Sequence, residues 1–226
     1  MQKDLPVVII GNGAAAVHAI MALREKKYDG EIHLFSDHER PAYNPMLTSY
    51  FVAGKIDEAA CYPFGSGMDF YRKNQVTGHA NSPVVKVDAA EQTVETENGL
   101  RMAYGQCLVA SGASSFTPGI PGVEAGLADK KVFGLRTMQD ALGLKEALKE
   151  NPRKALVVGA SMTGIKLAEI FLNLGMEVCM ADMMDRIFPA LAYPECSALV
   201  EKHLAKKGVR FRFGAGIQGI EHGTGS

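Results

Sequence analysis

The stretch from Val7 to Ile20, VVIIGNGAAAVHAI, constrains the fold more than any other part of this sequence. A short, uninterrupted run of β-branched residues is typical of a strand buried on both faces of a parallel sheet. The pattern predicts such a strand over Leu5–Ile10, a helix over Ala14–Lys26 and a second strand over Glu31–Phe35. This is a βαβ unit of nearly minimal length. Packing alone does not require so many small residues at its turn, which indicates that something approaches the backbone there.

The same device occurs a second time, in ALVVGASMTG. Strands are predicted over Lys154–Val158 and Glu177–Ala181, with a helix over Met162–Leu174 between them. Between the two units, Val84–Asp88 and Gln92–Glu95 are predicted as antiparallel strands, followed by a hairpin signal at Asn98-Gly99. We therefore predict an α/β fold with two Rossmann-like βαβ dinucleotide-binding domains, parallel sheets and a small antiparallel β-meander.

Composition excludes several classes of function. The chain has 226 residues and a formal net charge of −1, and no basic cluster is dense enough to suggest a nucleic-acid partner. No apolar run is long enough to span a bilayer, so no membrane association is expected. The N-terminus lacks the pattern of a secretory signal. The four cysteines are Cys61, Cys107, Cys179 and Cys196, and the spacings between them are long and irregular. Such spacings favour neither a metal site nor a redox dithiol, and they fit a reducing, cytoplasmic compartment.

The first turn has the residue types that a dinucleotide needs. Gly11 allows a sharp turn out of the strand, Gly13 allows a pyrophosphate to approach the backbone, and Ala16 allows close packing of helix and strand. The helix N-terminus adds roughly half a positive charge facing the phosphates. Asp37, after the second strand, is placed to bind ribose hydroxyls.

The second turn is less regular. Gly159 and Gly164 take the first and third positions, and Ser161 stands at the middle one, where its hydroxyl can donate a hydrogen bond to phosphate. Asp182 follows at a suitable distance. An acid at this place favours a free 2′-hydroxyl over a 2′-phosphate, and therefore NADH over NADPH. Two such turns, each with its acid, favour dinucleotide binding over a pair of α/β domains with empty glycine turns.

With these turns, four further segments resemble the pyridine nucleotide–disulfide oxidoreductase superfamily of two-dinucleotide flavoproteins. The resemblance is to the branch without a redox disulfide, which contains rubredoxin and ferredoxin reductases and the flavoprotein part of assimilatory nitrite reductases. The segments are ERPAYNPMLTSYFVAGK (Glu39–Lys55), LVASGASSFTPGIPG (Leu108–Gly122), LRTMQDALGLKEAL (Leu135–Leu148) and DRIFPALAYPECSALVEKHLAKKGV (Asp185–Val209). They cover essentially the whole chain in order.

The resemblance implies two cofactors, FAD and NAD(P)H, with NADH favoured, and their binding residues. FAD would be held by Gly11, Asn12, Gly13, Ala14, Ala15, Ala16, Ser36, Asp37, His38, Pro45, Leu47, Val84, Ala110, Ser111 and Gly112. NADH would be held by Gly159, Ala160, Ser161, Met162, Gly164 and Asp182. Residues 1–115 would form the FAD-binding domain and residues 116–226 the NAD(P)H-binding domain. No catalytic residue and no metal ligand is assigned.

The resemblance also implies an activity: FAD would accept hydride from NADH and pass electrons to an iron–sulfur or rubredoxin-like protein or to a small acceptor. Four departures bear on this. Ser111 replaces a threonine, Pro45 stands where an arginine is frequent, and Lys166 stands where a glutamate near the flavin is usual. A last strand is predicted over Val209–Phe213, and family chains continue well beyond it, so this chain is expected to be C-terminally truncated.

Three interpretations follow. The first is the FAD-dependent reductase, and the second is a non-catalytic flavin- or nucleotide-binding module, or a subunit of a split flavoenzyme, which Lys166 and the truncation favour. The third, a disulfide reductase, is opposed by the lack of a cysteine pair in the flavin loop. Uncovered apolar sheet edges further predict a homo-oligomer.

Overall fold

The computed structural model describes residues 5–221 and divides the chain into two compact units. The first unit contains Met1–Pro45 and Asp57–Ser114, and the second contains Met46–Ile56 and Ser115–Ser226. In chain order the strands are β1 Val7–Ile10, β2 Ile32–Phe35, β3 Val76–His79, β4 Val84–Asp88, β5 Thr93–Thr96, β6 Arg101–Ala103, β7 Gln106–Val109, β8 Lys154–Val158, β9 Glu177–Asp182 and β10 Arg210–Phe213. The α-helices are α1 Ala14–Glu25, α2 Thr48–Val52, α3 Asp69–Lys73, α4 Val123–Ala128, α5 Met138–Leu148, α6 Met162–Asn173 and α7 Pro194–Lys206.

The first unit is built on a parallel sheet with the strand order β3-β2-β1-β7. Alternate residues of β1 point to opposite faces of this sheet. On one face, Ile9 packs with Ile20 of α1 and with Tyr71 of α3. On the other face, Val8 packs in a cluster with Val94 of β5. Burial on both faces explains the uninterrupted apolar run from which the strand was predicted.

The small antiparallel sheet has the order β4-β5-β6. β5 and β6 are joined at the predicted Asn98-Gly99 turn, where Gly99 has a φ of +81° and its N–H donates to the carbonyl of Thr96. Val94 of β5 is almost fully buried against the parallel sheet. The meander is therefore packed as a layer of the first unit.

The second unit contains a parallel sheet with the order β10-β9-β8. α6 connects β8 to β9, which completes the second predicted βαβ unit. Thr137 and Asp140 form a capping box at the start of α5. The fold class predicted from the sequence, α/β with two parallel sheets and an antiparallel meander, is confirmed.

A pair of histidines lies at the edge of the first parallel sheet. The rings of His33 on β2 and His79 on β3 share a hydrogen bond of 2.9 Å between Nδ1 and Nε2. The His79 ring also stacks on Phe35, with centroids 4.3 Å apart. Partial burial lowers the pKa of His79, and the neighbouring His33 lowers that pKa further. The folded chain therefore favours the neutral form of His79.

We expect the stability of the first unit to fall as the pH drops below the ordinary histidine pKa of about 6.5. The reason is that the unfolded chain then binds a proton that the folded chain resists. Chemical unfolding at about pH 7.5 and about pH 5.5 measures the effect, and His79→Gln should make the dependence shallower. His18→Gln, at an exposed histidine, is the control. An identical pH dependence in His79→Gln and the parent chain would contradict the assignment.

Candidate nucleotide-binding site

The first glycine turn joins β1 to α1. Gly11 has a φ of +102°, and a Cβ there would overlap the carbonyl oxygen of Ala110, which follows β7. Gly13 differs, because a Cβ there would meet no other described atom within 4 Å. Gly13 is also the N-cap of α1, and it makes no side-chain cap. The turn thus leaves open space in front of helix N–H groups that have no partner inside the helix.

The start of α1 has the character expected of an anion site. Ala14 and Ala15 are exposed, and Ala16 is fully buried against the sheet. A helix N-terminus with aligned N–H groups attracts negative charge. Small side chains at these positions leave the N–H groups accessible while α1 packs closely on β1. The arrangement suits one phosphate group of a dinucleotide.

The end of β2 carries the first acid. Ser36 is buried, and its backbone N–H donates to the carbonyl of His79. The side chain of Asp37 is 80% exposed and lies 3.9 Å from Nε2 of His38. Nδ1 of His38 is a buried atom for which the described residues provide no hydrogen-bond partner. The exposed carboxylate of Asp37 can accept hydrogen bonds from a ligand that carries hydroxyl groups.

The other predicted flavin-site residues lie on three separate segments of the chain. Pro45 and Leu47 bound a short 3₁₀ turn, and Val84 begins β4, where it packs with the meander cluster. Ala110 is half-buried beside Gly11. Ser111 and Gly112 are exposed, and Gly112 has a φ of +72° with open space where a Cβ would be.

The second glycine turn joins β8 to α6. Gly159 has a φ of +100°, and in the described part of the chain no atom lies within 4 Å of where its Cβ would be. Ser161 is the N-cap of α6, and its hydroxyl oxygen accepts from the N–H of Gly164 at 3.4 Å. The hydroxyl keeps its own proton for donation. A Cβ at Gly164 would overlap the carbonyl oxygen of Gly159, so glycine is required there for close packing of helix and turn.

Asp182 has a structural role that its position in the sequence does not reveal. Its Oδ2 accepts from the N–H of Ala160 at 2.7 Å, and its Oδ1 accepts from the N–H of Met184 at 2.8 Å. The carboxylate therefore ties the glycine turn to the loop after β9. Met162 and Met183, next to this cluster, are 61% and 78% exposed. The turn is thus flanked by accessible apolar side chains.

Lys166 lies in the second turn of α6. Its Nζ is 3.3 Å from Oε2 of Glu169 and lies over the ring of Tyr50 at 5.5 Å from the centroid. Tyr50 belongs to α2, which packs on α5 and α6 within the second unit. The positive charge of Lys166 is therefore paired with the carboxylate of Glu169 on the same helix.

A buried tyrosine that the sequence did not indicate supports the first turn. The hydroxyl of Tyr71 donates to Oδ1 of Asn12 at 2.7 Å and accepts from the N–H of Ala42 at 2.8 Å. Nδ2 of Asn12 donates to the carbonyl of Arg40 at 3.1 Å. Tyr71 is separated from Asn12 by 59 residues of sequence, so no local pattern could have connected them.

Both turns fit a dinucleotide. Each combines a helix N-terminus, an open approach at a glycine and an acid at the end of the next strand of its βαβ unit. At Gly13 and at Gly159 the described residues place no atom within 4 Å of where a Cβ would be. Among residues 5–221, Nδ1 of His38 at the first site has no hydrogen-bond partner.

Comparison with known proteins identifies the family. The sequence profile of the pyridine nucleotide-disulphide oxidoreductases matches residues 5–225. The chain belongs to this family. The membership predicted from the sequence is confirmed, and so is the pairing of a flavin with a pyridine nucleotide, at the level of the family. The residues assigned to each nucleotide remain predictions.

Similar proteins agree with this family assignment. The chain is 29% identical over 222 residues to a rubredoxin–NAD(+) reductase of Ectopseudomonas oleovorans, covering 98% of this chain and 56% of that protein. It is 30% identical to an NAD(P)H nitrite reductase of Bacillus subtilis, covering 91% of this chain and 25% of that protein. The reductase in a covalent putidaredoxin reductase–putidaredoxin complex superposes with a TM-score of 0.89 at 25% identity, over 98% of this chain and 52% of that one.

The chain thus spans little more than half the length of the rubredoxin–NAD(+) reductase that it matches. Within residues 5–221, no helix is both long and apolar enough to cross a membrane. The same residues contain no group of three or more histidine, cysteine, aspartate or glutamate side chains placed to hold a metal ion.

Proposed function

We propose that this chain forms the nucleotide-binding part of an FAD-dependent oxidoreductase that takes hydride from NADH. The observation that carries the proposal is the occurrence of two open glycine turns, each at the N-terminus of a helix and each followed by an acid. Residues 1–115 would serve FAD and residues 116–226 would serve NADH. A plain α/β structural domain needs neither turn to be open.

At the first site, the N–H groups at the start of α1 would bind the pyrophosphate of FAD. Asp37 would accept hydrogen bonds from a ribose, and the partly exposed imidazole of His38 would contact the adenosine half. Val84 would contact the adenine through its backbone. Ser111 and Gly112 would pass beside the cofactor, where the lack of a side chain at Gly112 permits a close approach.

At the second site, the start of α6 and the hydroxyl of Ser161 would bind the phosphates of NADH. Asp182 would accept from the adenosine ribose with lone pairs that its two backbone hydrogen bonds leave available. A bound flavin would supply the hydride and electron-transfer chemistry. The chain's own contribution is to hold two nucleotides at fixed backbone positions.

The electron acceptor is proposed to be an iron–sulfur or rubredoxin-like protein, or a small molecule. The name of the 29%-identical relative, a rubredoxin–NAD(+) reductase, supports a protein acceptor. Steady-state turnover with rubredoxin, ferredoxin and ferricyanide as alternative acceptors separates these choices. Turnover with ferricyanide alone would remove the support for a protein partner.

The experiment for the proposed function is reconstitution with FAD followed by anaerobic addition of NADH. We expect a yellow protein whose flavin absorbance is bleached by stoichiometric NADH. A folded protein that FAD cannot turn yellow would refute the proposal.

A second candidate is a flavin- or nucleotide-binding module without turnover of its own. The positive charge of Lys166, paired with Glu169 on the face of α6 that meets Tyr50, favours it. In that case the protein would be yellow and NADH would bind without bleaching it. Lys166→Glu would then be the variant that tests whether the charge at this position blocks hydride uptake.

We expect Asp182→Ala to narrow the preference for NADH over NADPH, because the negative charge that repels a 2′-phosphate is removed. The same change leaves the N–H groups of Ala160 and Met184 without their carboxylate partner. The loss at buried Ala160 should cost about 1–3 kcal/mol of stability, whereas water can replace the carboxylate at exposed Met184. Titration with both nucleotides measures the ratio of the two dissociation constants. Asp185→Ala, at a neighbouring exposed acid, is the control. An unchanged ratio would remove Asp182 from the ribose site.

We also propose that the folded chain self-associates. β7 and β8 lie at the ends of their sheets in the described part of the chain, and both expose apolar side chains. Val109 is 62% exposed and Leu156 is 52% exposed. Apolar edge strands are prone to pairing with another chain. Sedimentation velocity decides the question, and a monodisperse monomer would contradict the proposal.

A further inference from the structure

We propose that Tyr71 and Asn12 form a bridge that holds the first glycine turn in the conformation that binds FAD. Tyr71 would act as a positioning residue, because it is buried in the core and contacts the turn through Asn12. The inference rests on the proposed function, since it concerns how tightly the flavin site binds.

The first glycine turn has unusual backbone freedom. Asn12 lies between two glycines, and Gly11 has a φ of +102°, which few other residues adopt. A segment with this much backbone freedom loses affinity when binding must order it. A fixed contact on Asn12 removes that cost before the ligand arrives. The side chain of Asn12 is the only one between the two glycines that can make such a contact.

Asn12 uses both ends of its side-chain amide. Oδ1 accepts from the hydroxyl of Tyr71, and Nδ2 donates to the carbonyl of Arg40. These two hydrogen bonds fix the orientation of the side chain from opposite sides. The guanidinium of Arg40 is itself held by Glu58 at 3.0 Å, which steadies the segment that receives the amide. The turn is therefore fastened to residues 40–42.

Tyr71 is buried in the core of the first unit. Its side chain packs in the same cluster as Ile9 and Ile20 and is 3% exposed. A buried hydroxyl costs free energy unless it is hydrogen-bonded, and this one both donates and accepts. Burial raises the pKa of Tyr71, so the hydroxyl keeps its proton and remains a donor to Asn12 near neutral pH. A phenylalanine would fill the same space without making the bridge.

The test compares Tyr71→Phe and Asn12→Ala with the parent chain. The matched control is Tyr104→Phe, which removes another buried tyrosine hydroxyl of the first unit, one that reaches the carbonyl of Asp88 and does not touch the turn. Isothermal titration gives the affinity for FAD and for NADH. Stopped-flow measurement gives the rate of FAD release, and chemical unfolding gives the stability of each variant.

We expect Tyr71→Phe and Asn12→Ala each to weaken FAD binding about tenfold, mainly through faster release. The double variant should weaken FAD binding by less than the product of the two single losses, because the hydrogen bond between Tyr71 and Asn12 is lost in both single variants. The affinity for NADH should stay unchanged in all of them, and Tyr104→Phe should alter FAD affinity less than about twofold. A purely structural role for Tyr71 would lower stability without changing FAD release.

Two outcomes would overturn the inference. FAD affinity within about twofold of the parent in folded Tyr71→Phe would show that the bridge does not position the turn. Additive losses in the double variant would show that Tyr71 and Asn12 act separately. Asn12 lies at the half-buried turn, so Asn12→Ala keeps the test available if Tyr71→Phe does not fold. A parent chain that binds no FAD would instead refute the proposed function together with this inference.

Discussion

Gly13→Val should abolish the binding of FAD while leaving the chain folded. No described atom lies within 4 Å of where a Cβ would be, and the backbone of Gly13 is extended, with a φ of −116°, a region that any residue adopts. The valine would therefore occupy only the space in front of the helix N-terminus. Loss of two hydrogen bonds to phosphate at about 1.5–3 kcal/mol each weakens binding on the order of 100-fold or more.

The measurement is the flavin absorbance that remains after gel filtration, together with a thermal unfolding curve. Gly134→Val is the matched control, since Gly134 also has open space around its Cβ position but lies outside both turns. The control should retain flavin like the parent chain. Full retention of flavin by Gly13→Val would place the phosphates elsewhere and would leave the first turn without its proposed role.

Gly164→Ala, in contrast to Gly13→Val, should destabilise the folded chain even when no ligand is bound. The added methyl group would overlap the carbonyl oxygen of Gly159 and lie 3.3 Å from Cγ1 of Val157. The first of these neighbours is backbone and cannot rotate away. α6 must then move away from β8, which we expect to cost about 3 kcal/mol and to abolish NADH binding, while FAD binding is retained.

Gly143→Ala provides the comparison for this second change. Gly143 lies inside α5, and the described residues place nothing within 4 Å of its Cβ position. Alanine there should stabilise the helix by up to about 1 kcal/mol. Urea unfolding of the two variants, with nucleotide titrations beside it, measures both effects. Equal stabilities for Gly164→Ala and Gly143→Ala would contradict the close packing at the second turn.

The elements that the sequence predicted well are those with a strong local signal. β1 and β8 were marked by β-branched runs that end at glycine, and the hairpin between β5 and β6 was marked by Asn98-Gly99. Their helices, α1 and α6, begin within one residue of the predicted positions. In each case the residues that specify the element lie inside it.

Elements whose formation depends on distant partners were not predictable. β3 has the sequence VTGH, which has little apolar character, and it becomes a strand through pairing with β2 and through the stacking of His79 on Phe35. α4 follows the Gly- and Pro-rich segment Ser111–Gly122, which has no apolar periodicity of its own. Neither element has the periodicity on which prediction relies.

The candidate site shows the same difference between features with a local sequence signal and features that depend on distant residues. The glycines and the two acids could be proposed from spacing, because spacing along a βαβ unit fixes where a strand ends and a helix begins. The hydrogen bonds from Asp182 to Ala160 and from Tyr71 to Asn12 could not, since they join residues that are 22 and 59 positions apart. They depend on side-chain orientation, which no sequence pattern encodes.

The membership of Met46–Ile56 in the second unit limits how this protein can be dissected. Phe51 and Val52 of that segment are each 5% exposed, and the amine of Lys145 on α5 donates to the carbonyl of Phe51 at 3.1 Å. Expressing residues 1–115 alone would deprive this loop of α5 and α6 and leave its two apolar side chains bare. Isolated halves should therefore precipitate or be proteolysed at the loop, whereas co-expression of the two halves should restore a soluble protein.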